Sequence, residues 1–421
     1  MRNVVTLAIS LLAVSCSGTQ GAPKGCTTDV QCKGNRVCVQ ARCANPAPKN
    51  PPADAGPPDA GLPVKGSPPF AMFQGNAQHT GVLAGEASTS KPKLLWTINT
   101  GGPVVGSPTV GPDGTVYFTS HDKHLYAASP EGKVLWKFKT GDRVWSTPAV
   151  ATDNTVYIGS DDDHLYAVDG KTGTEKWKFR VGNCNNKAFG PEGVFCDVDG
   201  GPTLGPDGTI YTGGDGVYAV WPNGKLRWKF ATSEHVRAAV ALADDGTAYA
   251  TCLDDALYAI RPDGTKAWEY RTRRDIESTP SVAPDGTVVF GGDDDAIYGL
   301  DPDGSLKWKV VTTADVRGSA AIADDGTILI GSYDGRLYSI SKTGLVKWRF
   351  AAADKIHGSP GITQNGLVIV GSQDDHVYAI DAAGKLRWYL PLDADVDTTP
   401  AVSSDGLIYV GSDDGTLRAY K

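Results

Sequence analysis

The sequence predicts an all-β fold, an eight-bladed β-propeller of four-stranded antiparallel blades, and three observations predict it. Tryptophan recurs at Trp96, Trp136, Trp177, Trp228, Trp268, Trp308, Trp348 and Trp388, in steps of 40, 41, 51, 40, 40, 40 and 40 residues. Such a period is the mark of one supersecondary unit copied many times. Within each copy, apolar runs rich in Val, Ile, Tyr and Phe are bounded by Asp-Gly or Asn-Gly, as in Pro112-Asp113-Gly114 before Val116-Tyr117-Phe118. Those runs read as strands and those dipeptides as hairpin turns, because glycine accepts the positive φ the turn needs. No long segment carries a helical period, and four short strands in each copy make a propeller blade.

Taken in order, the first strands begin near Gly106, Ser146, Gly200, Ala238, Ser278, Gly318, Gly358 and Thr398. The eighth copy has only three strands before Lys421, and the missing fourth lies at the other end, in Leu94-Leu95-Trp96-Thr97-Ile98. The expected closure therefore pairs an N-terminal strand at about 93–99 with the C-terminal hairpin, which removes the exposed edges of an open sheet.

The stretch Ala167-Val168-Asp169-Gly170-Lys171-Thr172-Gly173-Thr174-Glu175-Lys176-Trp177 resembles the tryptophan-docking motif of the quinoprotein-type, or PQQ-like, propeller repeats. The lead-in Met72-Phe73-Gln74-Gly75-Asn76-Ala77-Gln78-His79-Thr80-Gly81 is also similar to that family. The resemblance covers residues 70–421 and implies that each tryptophan is buried between neighbouring blades. It implies a structural role for them, since a buried indole removes roughly 150–250 Å² from water and needs a partner for its N–H.

Ahead of the propeller the sequence reads as an export and anchoring apparatus. Residues 1–15, with Arg2 and the apolar run from Val4 to Val14, form a signal peptide too short to span a bilayer. Cys16 follows Ala13-Val14-Ser15 in a pattern that resembles a bacterial lipobox, with residues 16–25 as the lipidated N-terminus. Cys26, Cys32, Cys38 and Cys43 fill residues 26–43 with five, five and four residues between them. Export favours disulfides over zinc for so small a module, and four cysteines allow three connectivities. Residues 44–69 hold nine prolines and form an extended linker. Cys184 and Cys196 bracket the insertion that lengthens one repeat, and a bridge there would close a 13-residue loop. Cys252 occupies a place that other copies fill with Ser or Gly, so it reads as a small buried side chain.

A site must be sought where the copies differ. Every copy carries Asp in the turn between its second and third strands: Asp122, Asp162, Asp215, Asp254, Asp294, Asp334, Asp374 and Asp414. Their uniformity predicts turn chemistry, a carboxylate accepting nearby backbone N–H groups, with calcium the sharper alternative at Asp161-Asp162-Asp163 and Asp293-Asp294-Asp295. Just inside the entry to the first strand the copies read Val105, Trp145, Asp199, Arg237, Glu277, Arg317, His357 and Asp397. A propeller's first strands line its channel, so these eight side chains should circle one mouth of it. Two readings follow: a self-satisfied ring of ion pairs that plugs the channel, or a polar ligand site with Arg237 and Arg317 gripping a carboxylate and Trp145 stacking.

A formal charge of −8 and a pI near 5.4 argue against nucleic acid, which wants a basic face. No Gly-rich phosphate loop, HExxH or GxSxG motif is present. The resemblance raises pyrroloquinoline quinone with calcium as cofactor of an oxidoreductase. The chain has no adjacent cysteine pair of the kind those enzymes place over the quinone, and it lacks their long insertions. The expectation is thus a monomeric, non-enzymatic propeller without a cofactor, similar to the envelope lipoproteins that include a subunit of the outer-membrane β-barrel assembly machinery. It would be tethered to the membrane only through its lipid and would bind an envelope protein or a wall or surface polymer.

Overall fold

The computed structural model describes residues 71–182 and 196–421 throughout, and before them only the backbone of Val37–Val39 and Arg42–Ala44. Those two short strands pair antiparallel with Cys38 opposite Cys43, in a unit that ends at Pro46. The signal peptide, Cys16, the side chains of Cys26, Cys32, Cys38 and Cys43, the linker and Cys184 lie outside the described residues. Cys196 is buried and disulfide-bonded, and its partner also lies outside them.

Among the described residues of 47–421, eight four-stranded antiparallel sheets follow one another in chain order. Blade 1 comprises Thr109–Val110, Val116–Ser120, His124–Ala128 and Val134–Lys139, and the next six repeat that order. In blade 8 the strands Ala401–Val402, Ile408–Ser412 and Thr416–Tyr420 are completed by Leu94–Asn99, as the missing strand requires. The second and third strands are buried on both faces, whereas the outermost strand alternates, as in Val134–Lys139. Eight apolar clusters join blade to blade; one links Ile369, Val377 and Trp388 of blade 7 to Val402, Ile408 and Val410 of blade 8.

Each tryptophan sits on the outermost strand; seven donate the indole N–H to a carbonyl in a turn of the next blade, at 2.8–3.2 Å, and Trp388 donates to Ser88, ahead of the closing strand, at 2.7 Å. The rings of those seven lie on a turn glycine of the next blade. Gly132, for example, has φ 86, and a Cβ there would come within 2.6 Å of Trp96. The residue paired across from each tryptophan is small, as Ala127 is to Trp136 and Gly299 to Trp308. Full burial, however, holds only for Trp308 and Trp388; the other six are half-buried. The outermost strand has solvent on its far side, and the sequence pattern does not report that.

The turn aspartates accept backbone N–H groups, as the pattern predicts, and take a further donor that it does not predict. The carboxylate accepts the hydroxyl of a tyrosine on the third strand: Tyr126 to Asp122, Tyr166 to Asp162 at 2.6 Å, Tyr258 to Asp254 at 2.7 Å and Tyr378 to Asp374 at 2.5 Å. Asp414 holds Arg418 instead, at 2.5 Å. The same carboxylates accept backbone N–H groups of the loop entering the blade, as from Gly141 to Asp162 at 2.6 Å. A belt of hydroxyls lines the channel. The N–H of Ser107 donates to Thr147 Oγ1, Thr279 to Ser319 Oγ, Ser319 to Ser359 Oγ, and Thr399 to Ser107 Oγ, at 2.9–3.1 Å. The last of these crosses the point of closure.

Residues 71–87 form a strap across the far end of the channel. Backbone carbonyls of Ala71, Ala77, Gln78, Thr80 and Gly81 accept from Val150, Leu242, Val282, Ile322 and Ile362, the second residue of five first strands. Phe73, Ser107, Thr147 and Thr399 border both channel cavities.

Candidate functional site: an acidic channel mouth

Val105, Trp145, Asp199, Arg237, Glu277, Arg317, His357 and Asp397 all line one cavity of about 170 Å³ at the end of the channel opposite the strap. The repeat explains the convergence, since each is the same position of a first strand. Along one arc the charges satisfy one another. Arg237 Nε lies 3.1 Å from Asp199 and its Nη1 3.7 Å from Glu277. Arg317 reaches Glu277 at 3.2 Å and grips Asp293 in a fork of 2.7 and 3.1 Å. The arginines that could clasp a ligand carboxylate are therefore taken by carboxylates of the chain itself. Asp397 is served by Gln373 Nε2 at 3.0 Å and lies 3.2 Å from His357 Nδ1. Burial pushes its carboxyl up, but those two partners outweigh burial and hold it low.

A second set of side chains completes the mouth. It comes from the residue just before the turn aspartate: His121, Asp161, Asp293, Tyr333, Gln373 and Asp413. Each touches a first-strand residue of the following blade where the structure records a contact. His121 packs edge-on against Trp145 with centroids 4.1 Å apart, and Tyr333 against His357 at 5.5 Å. Asp293 meets Arg317 and Gln373 meets Asp397. The sequence holds the signal for this set, because the position varies between copies while the aspartate after it does not.

The remaining arc is acidic. Asp161, Asp197 and Asp199 each offer a carboxylate oxygen, all within 4.8 Å of one another, the one grouping among the described residues able to offer a metal three such ligands. Burial and the neighbouring Asp199 and Asp197 raise the Asp161 carboxyl well above its usual range. Burial and Asp199 raise Asp197 to about 6, and burial and Asp397 raise Asp413 to about 6. A raised carboxyl binds its proton more tightly folded than unfolded. The stability it lends is full below the unfolded value near 4 and is lost as pH rises through the folded value. Asp161→Asn should thus raise Tm by about 1–3 °C at pH 8 and hardly at all at pH 4. Calorimetry at the two pH values checks this; an equal shift at both would refute it. Trp145 stands beside this arc, 42% exposed.

The profile of the family described as outer membrane protein assembly factor BamB matches residues 88–194, 183–341 and 333–421. No curated protein matches. Among solved structures, a europium-containing methanol dehydrogenase is 15% identical with a TM-score of 0.67, covering 81% of this chain and 90% of that one. The quinohemoprotein alcohol dehydrogenase from Comamonas testosteroni is 14% identical with a TM-score of 0.68, covering 84% and 80%. BamB from Moraxella catarrhalis is 18% identical with a TM-score of 0.63, covering 79% and all of its own chain. At such identities these likenesses are likenesses of fold.

Proposed function

This chain belongs to the family of the outer membrane protein assembly factor BamB, and on that premise we propose that it is a non-enzymatic binding scaffold of the bacterial envelope. Its acidic mouth docks a basic segment of a protein partner. The observation that carries the reading is that Arg237 and Arg317 are engaged by Asp199, Glu277 and Asp293, while Asp161 and Asp197 form no ion pair among the described residues. Excess negative charge beside the exposed indole of Trp145 suits a lysine or arginine, by ion pairing and by cation–π contact. The scaffold is tethered through a lipid on Cys16, with residues 44–69 as the spacer. Among the described residues no helix is long and apolar enough to cross a membrane.

The dehydrogenase neighbours raise pyrroloquinoline quinone with calcium. The residues of the mouth do not fit that group. A tricarboxylate needs cations, and both ring arginines already hold carboxylates. Phe73 stands beneath the mouth, and the acidic arc would repel an anion. Only Asp161, Asp197 and Asp199 speak for the alternative, as donors to a divalent ion.

A photoreactive residue in place of Trp145, irradiated in intact cells, tests the proposal. The expected product is a discrete protein adduct that disappears in the Asp161→Lys, Asp197→Lys variant. A wall-polymer adduct, or an adduct indifferent to the charge reversal, would overturn it. Dye-linked alcohol oxidation after adding the quinone and calcium would put the enzyme reading in its place.

A further inference from the structure

The outermost strand of every blade carries one extra residue, a bulge just before its tryptophan. In blade 8, Leu94 pairs with Tyr420 and Trp96 with Ala419, which leaves Leu95 out of the ladder. In blade 1, Val134 pairs with Ala128 and Trp136 with Ala127, which leaves out Leu135. A bulge re-aims its side chain away from the regular row. In blades 2, 3, 5 and 7 that side chain is basic, Lys176, Arg227, Lys307 and Arg387. Each pairs with a carboxylate of its own blade, at 2.7–3.4 Å. Blades 8 and 1, neighbours in the ring, carry leucine there instead. Leu95 and Leu135 are 52% and 49% exposed, and Leu94 beside them is 53% exposed. Trp96 donates to Pro130 and rests on Gly132 of blade 1, so the leucines flank one blade junction.

The charges around them are of one sign. Lys91, Lys93, Lys133, Lys137, Lys139 and Lys421 are exposed, and none forms an ion pair among the described residues. Lys91 and Lys137 lie over the rings of Tyr389 and Tyr126. Glu131 is the one exposed acid in these two strands and the turn before Lys133. The turn carboxylates Asp113 and Asp405 are held inside their own turns, by the N–H of Thr115 and the hydroxyl of Ser403. Six lysines thus gather around three leucines on a chain whose formal charge is −8, and no arginine stands among them. A protein interface enriches arginine and depletes lysine. A bilayer surface takes lysine readily, because the long stem lies along apolar ground while the ammonium stays with the phosphates.

We propose that the outer edge of blades 8 and 1 is a membrane-contact face that rests on an anionic phospholipid bilayer. Leu94, Leu95 and Leu135 enter the headgroup region, and the six lysines meet lipid phosphates. Outward side chains of an outermost strand point away from the channel. The ring therefore stands on its edge, with the channel axis parallel to the bilayer and the acidic mouth open to the side. The contact is separate from that mouth, and it depends neither on what docks there nor on acylation of Cys16.

The test uses the exported polypeptide, residues 16–421, with Cys16→Ser so that no acyl chain contributes. It is sedimented with vesicles of phosphatidylglycerol and phosphatidylcholine in equal parts, and with vesicles of phosphatidylcholine alone. The expected result is binding to the mixed vesicles only, weakening as salt is raised. Lys133→Gln with Lys139→Gln should weaken it about 25-fold, about fivefold for each lysine. Leu95→Gln with Leu135→Gln should weaken it about tenfold, since each leucine has about half its side chain left to bury. All four side chains are exposed, so Tm should hold in both pairs. Lys225→Gln with Arg273→Gln makes the same charge change at exposed residues elsewhere on the ring and should bind as wild type. Absence of binding, equal binding to neutral vesicles, equal losses from the two charge pairs, or no loss from the leucine pair overturns the proposal. Self-association on gel filtration that the lysine pair abolishes also overturns it, by making this face an interface between copies.

Discussion

Deleting residues 91–99 should leave a chain that no longer melts as one cooperative unit. Leu94–Asn99 supplies the outermost strand of blade 8, paired through Leu94↔Tyr420, Trp96↔Ala419 and Ile98↔Leu417. Lys93 and Lys421 add two backbone hydrogen bonds, of 2.7 and 2.9 Å. Ile98 is buried in the cluster that joins blade 8 to blade 1, and Trp96 donates across the same junction to Pro130. The half-buried Trp96 site costs about 2 kcal/mol, a lost buried isoleucine about 2–5, and each ladder bond about 1. The sum is on the order of 10 kcal/mol, as large as the whole stability of a typical domain. The deletion also bares the edge of Thr416–Tyr420, an invitation to aggregation. The expected readings are a lost near-ultraviolet circular dichroism transition and high-mass species on gel filtration. A peptide of residues 91–99 added in trans should restore part of the transition. A deletion variant that melts like the full chain would mean that the ring closes by other contacts.

Ring closure was legible because it is written twice, as a copy one strand short and as an orphan strand carrying its own tryptophan. The first-strand ring of the mouth was legible for a similar reason: a repeat places equivalent positions at equivalent radii, so Trp145 and Asp397 need only be aligned to be brought together. Three things were not. The strap binds through the carbonyls of Ala71, Ala77, Gln78, Thr80 and Gly81, and a carbonyl leaves no mark in side-chain pattern. The pairing of charges at the mouth depends on contacts between adjacent blades, so Arg317 could not be seen to choose Asp293, which lies on the preceding blade. The partner of the turn aspartates was present in the sequence as a tyrosine four residues on, in Asp162 and Tyr166 for instance. It was hidden by that tyrosine's place in an apolar run that already reads as core. Uniformity across copies identified these residues as acceptors of backbone N–H groups without showing the tyrosine hydroxyl.

Trp388→Ala should be the most destabilising single substitution among the docking tryptophans. Trp388 is 2% exposed and packs with Leu83, Leu390, Val396 and Tyr420. Its counterparts in blades 1 to 6 dock on the third-to-fourth turn of the next blade. Blade 8 has no such turn, because its third strand ends the chain and its fourth comes from the other end. The indole N–H of Trp388 donates instead to Ser88, at 2.7 Å. One side chain thus wedges blades 7 and 8 and pins the segment that leads from the strap into the closing strand. Truncation should cost about 3–5 kcal/mol, lowering Tm by roughly 5–10 °C. Trp268→Ala is the control. Trp268 makes the equivalent bond to Pro302 at 2.9 Å but is half-buried, so it leaves a smaller void and should cost about half as much. Trp388→Phe keeps most of the ring and loses the donor, for about 1 kcal/mol. Equal losses from Trp388→Ala and Trp268→Ala in thermal melts would show that all eight wedges are alike and that the Ser88 contact adds nothing. A loss from Trp388→Phe as large as from Trp388→Ala would place the stability in the hydrogen bond rather than in the packing.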